Sequence, residues 1–160
     1  MSELRIGLGV DAHAFGEGVP LVLGGVAVEH PRGLVGHSDG DVLAHALTDA
    51  LLGAAGLADI GTLFPSDDER YRGADSLGLL AEAYRQVREA GFVLVNADCV
   101  VLGEEPRVGP HRDAMRERLS SALGVGREQV NVRATTTDGL GFTGRREGLA
   151  AQAVALLRRD

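Results

Sequence analysis

Hydrophobic and polar positions change their period several times along this chain, and each change marks an element. Leu4 to Val10 alternates with a period of two and predicts a strand. Ala12 to Pro20 then reads as a loop. Leu21–Leu23 and Val26–Val28 flank Gly24-Gly25, a two-residue hairpin signal. Val42, Leu43, Ala46, Leu47, Ala50, Leu51 and Ala54 recur at helical intervals, with Ser38 as the expected N-cap, Asp41 as an acidic first turn and Gly56 as the stop. Asp59 to Gly73 has no clear period and carries Pro65, which predicts a mobile functional loop. A second helix is expected from Asp75 or Ser76, through Leu79, Leu80, Ala83 and Val87, to Gly91. Phe92 to Leu102 reads as a strand, Pro110 to Leu123 as a helix, Val130 to Ala134 as a strand. A last helix is expected after Gly144, burying Leu149, Ala153, Leu156 and Leu157 and ending in Arg158-Arg159. Strands and helices mixed without strict alternation imply a two-layer α+β sandwich, a mixed β-sheet with helices packed on one face.

Candidate chemistry concentrates in two places. Asp11-Ala12-His13 puts a carboxylate and an imidazole on one side of an extended segment, and His45 adds a second imidazole from the helix. Three such donors with a fourth position open are the usual set of a catalytic zinc, and a single cysteine makes a closed structural site improbable. Asp41, His45 and Asp49 are spaced four apart and share a helical stripe, so Asp41 or Asp49 is expected to orient the His45 ring. A solvated acidic helix face would show the same stripe.

The second place is Thr135-Thr136-Thr137-Asp138-Gly139-Leu140-Gly141-Phe142-Thr143-Gly144-Arg145. Threonine hydroxyls, loop amides and Arg145 suit phosphate oxygens, and Asp138 suits a hard divalent cation. An ordinary glycine-rich capping turn has the same composition.

Composition adds limits. The 160 residues, 44% hydrophobic and 24% charged, suit one compact domain over residues 1–160. Few aromatics and many glycines imply a Val, Leu and Ala core, completed by subunit packing. A net charge of −7 argues against a nucleic-acid partner. No run of 18 apolar residues and no secretory leader is seen, so a cytoplasmic protein without a membrane span is expected. Cys99 lies in an apolar run and is read as a buried, inert thiol; His30 and His111 are left unassigned.

Taken together, Gly9-Val10-Asp11-Ala12-His13-Ala14-Phe15, Gly36-His37-Ser38-Asp39-Gly40-Asp41, His45 to Gly53, Asp59-Ile60-Gly61 with Phe64-Pro65, and Thr135 to Arg145 followed by Glu147-Gly148 closely resemble the 2-C-methyl-D-erythritol 2,4-cyclodiphosphate synthases. That resemblance covers nearly the whole chain. It implies a homotrimeric, metal-dependent cyclase that converts 4-diphosphocytidyl-2-C-methyl-D-erythritol 2-phosphate into the 2,4-cyclodiphosphate and CMP, with sites at subunit interfaces. By the same resemblance Asp11, His13 and His45 hold Zn²⁺, and a second cation, Mg²⁺ or Mn²⁺, bridges the substrate phosphates at Asp138, where the family commonly has glutamate. His37, Ser38 and Thr136 match phosphate-holding positions, with His37 and Thr136 as catalytic groups and Thr135 and Thr137 beside them as substrate-binding residues. Asp59, Ile60, Gly61, Phe64, Pro65, Ser66, Asp67 and Asp68 match the segment for the methylerythritol part, with Ser66-Asp67 departing from the usual Asp-Thr. Gly103 to Gly109, with Pro106 and Arg107, matches the cytosine-cupping stretch, and Phe142 and Arg145 complete the set. The residues themselves leave two other readings open, a zinc-dependent phosphohydrolase with Asp41 or Asp49 as base, and a binder of nucleotides or isoprenoid diphosphates that turns nothing over.

Overall fold

The computed structural model describes residues 1–160. In chain order the elements are β1 (Glu3–Glu17), β2 (Leu21–Leu23), β3 (Val26–Val28), β4 (Arg32–Leu34), α1 (Val42–Ala54), α2 (Ile60–Leu63), α3 (Ser76–Glu89), β5 (Val93–Leu102), α4 (Arg112–Leu123), β6 (Val130–Thr135), α5 (Gly141–Gly144) and β7 (Gly148–Arg159). Short 3₁₀ turns cover Glu69–Tyr71, Gly109–His111 and Arg127–Gln129. The main sheet runs β4-β1-β7-β5-β6, antiparallel except for the parallel β5–β6 pair. β2 and β3 form the expected hairpin, closed by Gly24 and Gly25 at φ 57° and 74°, the left-handed pair that such a turn requires. α1 lies on β1 and β7, α3 packs against α1 and α4, and α4 covers β6, so the fold is the expected α+β arrangement with helices on one face. Leu43, Leu47, Leu51, Leu80, Met115 and Leu119 fill the space between the layers. No helix is long and apolar enough to cross a membrane.

Four expectations are corrected. Residues 148–159 form β7, not a helix, and β7 sits between β1 and β5. Leu149, Ala151, Ala153, Ala155 and Leu157 are buried at every second position while Gln152, Val154 and Arg158 face out, and Leu156 lies on the outer side. Alanine favours helices in isolation, but hydrogen bonding to a strand on each side overrides that preference. β1 runs on to Glu17 where a loop was expected from Ala12, because β7 and then β4 pair with its second half. The N-cap of α1 is Asp41 rather than Ser38: its carboxylate accepts from Ala44 N, and helical backbone begins only at Val42. The 59–73 passage is also more regular than expected, with α2 and the Glu69–Tyr71 turn inside it.

Candidate active site

β1 presents its odd residues to the helices and its even ones outward. Gly7 and Gly9 are buried and Asp11 and His13 half-buried, whereas Leu4, Ile6, Leu8 and Val10 are exposed. Both glycines are needed for the approach of α1. A Cβ at Gly9 would stand 1.8 Å from the Ala46 carbonyl oxygen, and one at Gly7 would stand 2.0 Å from that of Ala50. The α1 backbone therefore rests directly on the strand, and His45, one residue before Ala46, comes down over Asp11 and His13.

The three side chains converge tightly. Asp11 Oδ2 is 2.8 Å from His13 Nε2 and 3.0 Å from His45 Nδ1, and the two ring nitrogens are 3.3 Å apart. Donors about 2.1 Å from a tetrahedral metal lie about 3.4 Å from one another, so these separations fit one ion after an adjustment of a few tenths of an ångström. His13 is oriented correctly for it: its Nδ1 sits 3.0 Å from the Val35 carbonyl, to which it donates, so Nε2, which contacts Asp11, is the nitrogen that would ligate. Burial works against the charge on Asp11, yet hydrogen bonds from His13 and His45 outweigh it and hold the carboxyl at about 2. The hydrogen bond to Asp11 in turn raises the pKa of His13, with burial opposing.

These donors open into a pocket of about 300 Å³, lined also by His37, Ser38, Ile60, Gly61, Phe64, Ser66, Tyr71 and Leu79. Tyr71 meets Phe64 edge-on, with ring centroids 5.3 Å apart. Sequence reasoning missed Tyr71 and Leu79. Its only signal was the apolar spacing of Leu79, which marks core as readily as pocket. Asp59 instead caps α2 through Thr62, and Asp68 pairs with Arg70 while its carbonyl faces His37 Nε2 at 3.3 Å. Asp59, Pro65, Asp67 and Asp68 thus flank the pocket without lining it.

Neither expected carboxylate neighbour of His45 reaches it. Asp41 is fully buried and accepts from Gly24 N, Gly25 N and Ala44 N at 2.9, 2.7 and 3.1 Å, tying the β2–β3 turn to α1. Asp49 accepts from Ile60 N at 2.8 Å and anchors α2. The groups on His45 Nε2 are Ser76 Oγ at 2.7 Å and Ser38 Oγ at 3.0 Å.

The threonine-rich loop does not enter this pocket. Thr135–Arg145 instead joins the 103–109 stretch: Gly103 N donates to the Thr135 carbonyl and Gly139 N to Glu104 Oε1. Thr137 Oγ1 donates to Leu140 O, and Arg145 pairs with Glu147. Asp138 adopts φ 53°, with its amide 3.3 Å from the exposed Thr136 hydroxyl. Register places both groups at the same end of the sheet: Ala12 pairs with Ala150, Ala150 with Leu102, and Leu102 with Thr135. Three strand spacings, about 14 Å of backbone, separate them. Elsewhere, His30 stacks on Phe15 with centroids 5.2 Å apart, and burial pushes the Cys99 thiol up to about 12, as suits an inert group.

A mixed α+β fold in which two histidines and one carboxylate converge at a pocket offers a possible site for a divalent metal ion. The chain belongs to the YgbB family, whose sequence model matches residues 4–158. It is 60% identical over 154 residues, 96% of this chain and 94% of the relative, to a 2-C-methyl-D-erythritol 2,4-cyclodiphosphate synthase of Moorella thermoacetica. Among solved structures, the bifunctional IspDF of Campylobacter jejuni superposes with a TM-score of 0.96 at 46% identity; all of this chain is covered, and it spans 43% of that longer chain. IspF of Plasmodium falciparum in complex with CDP superposes with a TM-score of 0.85 at 31% identity, covering 98% of this chain and 97% of that one.

Proposed function

We propose that this chain acts as a 2-C-methyl-D-erythritol 2,4-cyclodiphosphate synthase, a phosphorus–oxygen lyase that releases CMP. The observation that carries the reading is the convergence of Asp11, His13 and His45, held by glycine contacts at the head of a pocket whose other walls suit a sugar phosphate. In the reaction an oxygen of the substrate 2-phosphate bonds to the β-phosphorus, and the bond from that phosphorus to the bridging oxygen breaks, its electron pair leaving with CMP. No protein nucleophile is required, so the side chains position the two phosphates and stabilise charge. Asp11, His13 and His45 would hold Zn²⁺, which would supply positive charge for the phosphate oxygens. His37 and Ser38 hold the phosphate that reaches the pocket, Ile60, Gly61, Phe64 and Ser66 enclose the methylerythritol part, and Thr136 donates to the reacting phosphates as charge develops. The exposed carboxylate of Asp138 suits Mg²⁺ or Mn²⁺, which takes one or two carboxylates together with substrate phosphates. The 103–109 stretch and Arg145 receive the cytidine diphosphate end.

A pocket of about 300 Å³ takes only part of such a substrate, and the groups for the rest lie across the sheet. We therefore place the complete site between protomers, the metal half of one facing the threonine half of the next in a homotrimer. The exposed apolar row Leu4, Ile6, Leu8 and Val10 on the outer sheet face supports burial against other copies. Asp41 is fully buried and neither it nor Asp49 lines the pocket, which speaks against either as the base of a hydrolase there. Incubation with the diphosphocytidyl substrate, Zn²⁺ and Mg²⁺, followed by ³¹P NMR, tests the reading. CMP together with the paired resonances of a cyclic diphosphate is expected; inorganic phosphate or an unchanged spectrum overturns it. We assign the protein to the cytoplasm and read residues 1–160 as one domain.

A further inference from the structure

His45 can ligate through Nδ1 only if its other ring nitrogen, Nε2, carries the proton. Two hydroxyls stand at Nε2, and the partners of one decide the matter. Ser76, the first residue of α3, is completely buried. Its Oγ contacts Asp39 Oδ1 closely, and its amide donates to Asp39 Oδ2 at 3.0 Å. An ionised carboxylate only accepts, so the Ser76 hydroxyl proton goes to Asp39. Ser76 Oγ then has only lone pairs to offer His45 Nε2 at 2.7 Å, and a lone pair there on the ring would be repelled. Asp39 itself is held by the Asp41 amide, 3.1 Å from Oδ1, at the entrance to α1.

We infer, resting on the metal-centre reading above, that Ser76 and Asp39 are positioning residues for the metal: the Asp39–Ser76 pair accepts the Nε2 proton of His45 and so presents Nδ1 to the ion. The three-member chain takes the place that Asp41 or Asp49 was expected to fill. It has a second effect. With Nε2–H directed chiefly at Ser76, Ser38, 3.0 Å from the same nitrogen and 3.4 Å from Ser76 Oγ, is left as a donor, either to Ser76 or toward the pocket whose wall it lines.

The test measures metal binding and ring protonation in the full chain. Zn²⁺ affinity is read by chelator competition, and the His45 nitrogen shifts by ¹⁵N NMR of the metal-free and Zn²⁺-loaded protein. Ser76→Ala is expected to weaken Zn²⁺ by about 10–100-fold, the usual effect of removing a ligand's hydrogen-bond partner, with the metal-free melting temperature little changed. It should also mix the two neutral tautomers of His45. Asp39→Asn, which keeps an acceptor oxygen but removes the charge, should give a smaller loss in the same direction, so the inference stays testable if one variant folds poorly. Unchanged Zn²⁺ affinity and an unchanged Nε2–H signature in Ser76→Ala would overturn it, as would a larger loss in Ser38→Ala than in Ser76→Ala. Failure of the unmodified protein to bind Zn²⁺ would instead remove the metal reading, and this inference with it.

Discussion

Replacing Gly9 with alanine probes the contact that sets the whole site. The new methyl carbon would lie 1.8 Å from the Ala46 carbonyl oxygen and 2.7 Å from Ala50 N. Real contacts of this kind stay beyond 3.0 Å, so α1 and β1 must separate by more than 1 Å, and the obstacle is helix backbone rather than a side chain that could swing aside. Overpacking of this type costs about 1–3 kcal/mol, and a backbone obstacle places this case at the upper end. For a domain of this size about 3 kcal/mol lowers the melting temperature by about 6–12 °C. His45 travels with Ala46, so its distance to Asp11, now 3.0 Å, grows as well. A shift near 1 Å in a metal ligand is expected to lower Zn²⁺ affinity and, with it, turnover by about 100-fold. Circular dichroism melts with and without chelator, beside Zn²⁺ titrations at fixed protein concentration, separate the two effects. A variant that melts within about 2 °C of the parent and binds Zn²⁺ equally well would refute the claim that direct strand-to-helix contact positions the centre.

Three further outcomes are expected. His45→Ala should lose stoichiometric Zn²⁺, seen by elemental analysis, and nearly all turnover while the oligomer seen by light scattering persists; retained Zn²⁺ would reject the site. Asp41→Ala strands three backbone amides, two of them buried, and removes the α1 cap, a loss of about 3 kcal/mol or more in chemical denaturation, and a change below about 1 kcal/mol would show those amides satisfied otherwise. Thr136→Val should depress kcat more than it raises KM, since its hydroxyl is assigned to the transition state; an effect on KM alone would make it a ground-state contact.

Most of the elements before Gly144, and the grouping of Asp11, His13 and His45, were legible in the sequence because each rests on local spacing. The Asp-x-His pair needs only the period of a strand, and His45 only the period of a helix. What spacing could not reveal was the partner across space. Asp41 and Asp49 share the His45 stripe, yet Asp41 is drawn to the Gly24–Gly25 turn and Asp49 to Ile60, while Asp39 and Ser76, 37 residues apart, supply the orienting chain. β7 was misread because Leu149, Ala153, Leu156 and Leu157 satisfy a helical period as well as Leu149, Ala151, Ala153, Ala155 and Leu157 satisfy a period of two. Only the strands on either side decide between them. The Thr135–Arg145 loop was found by its chemistry, but its distance from the metal donors followed from strand order, which no local pattern encodes.

The pairing of β1 with β7 also sets a timetable. Asp11 and His13 stand opposite Ala151 and Leu149, so the strand carrying two of the three metal donors finds its central neighbour only when residues near 150 are available. During synthesis those donors emerge early and then wait for more than a hundred residues. Closing so long a loop adds little to the final equilibrium but slows the search, because the entropy is lost before the contacts form. The hairpin, α1 and α3 can collapse in the meantime, while Asp11 and His13 reach their final setting only once β7 has paired with β1.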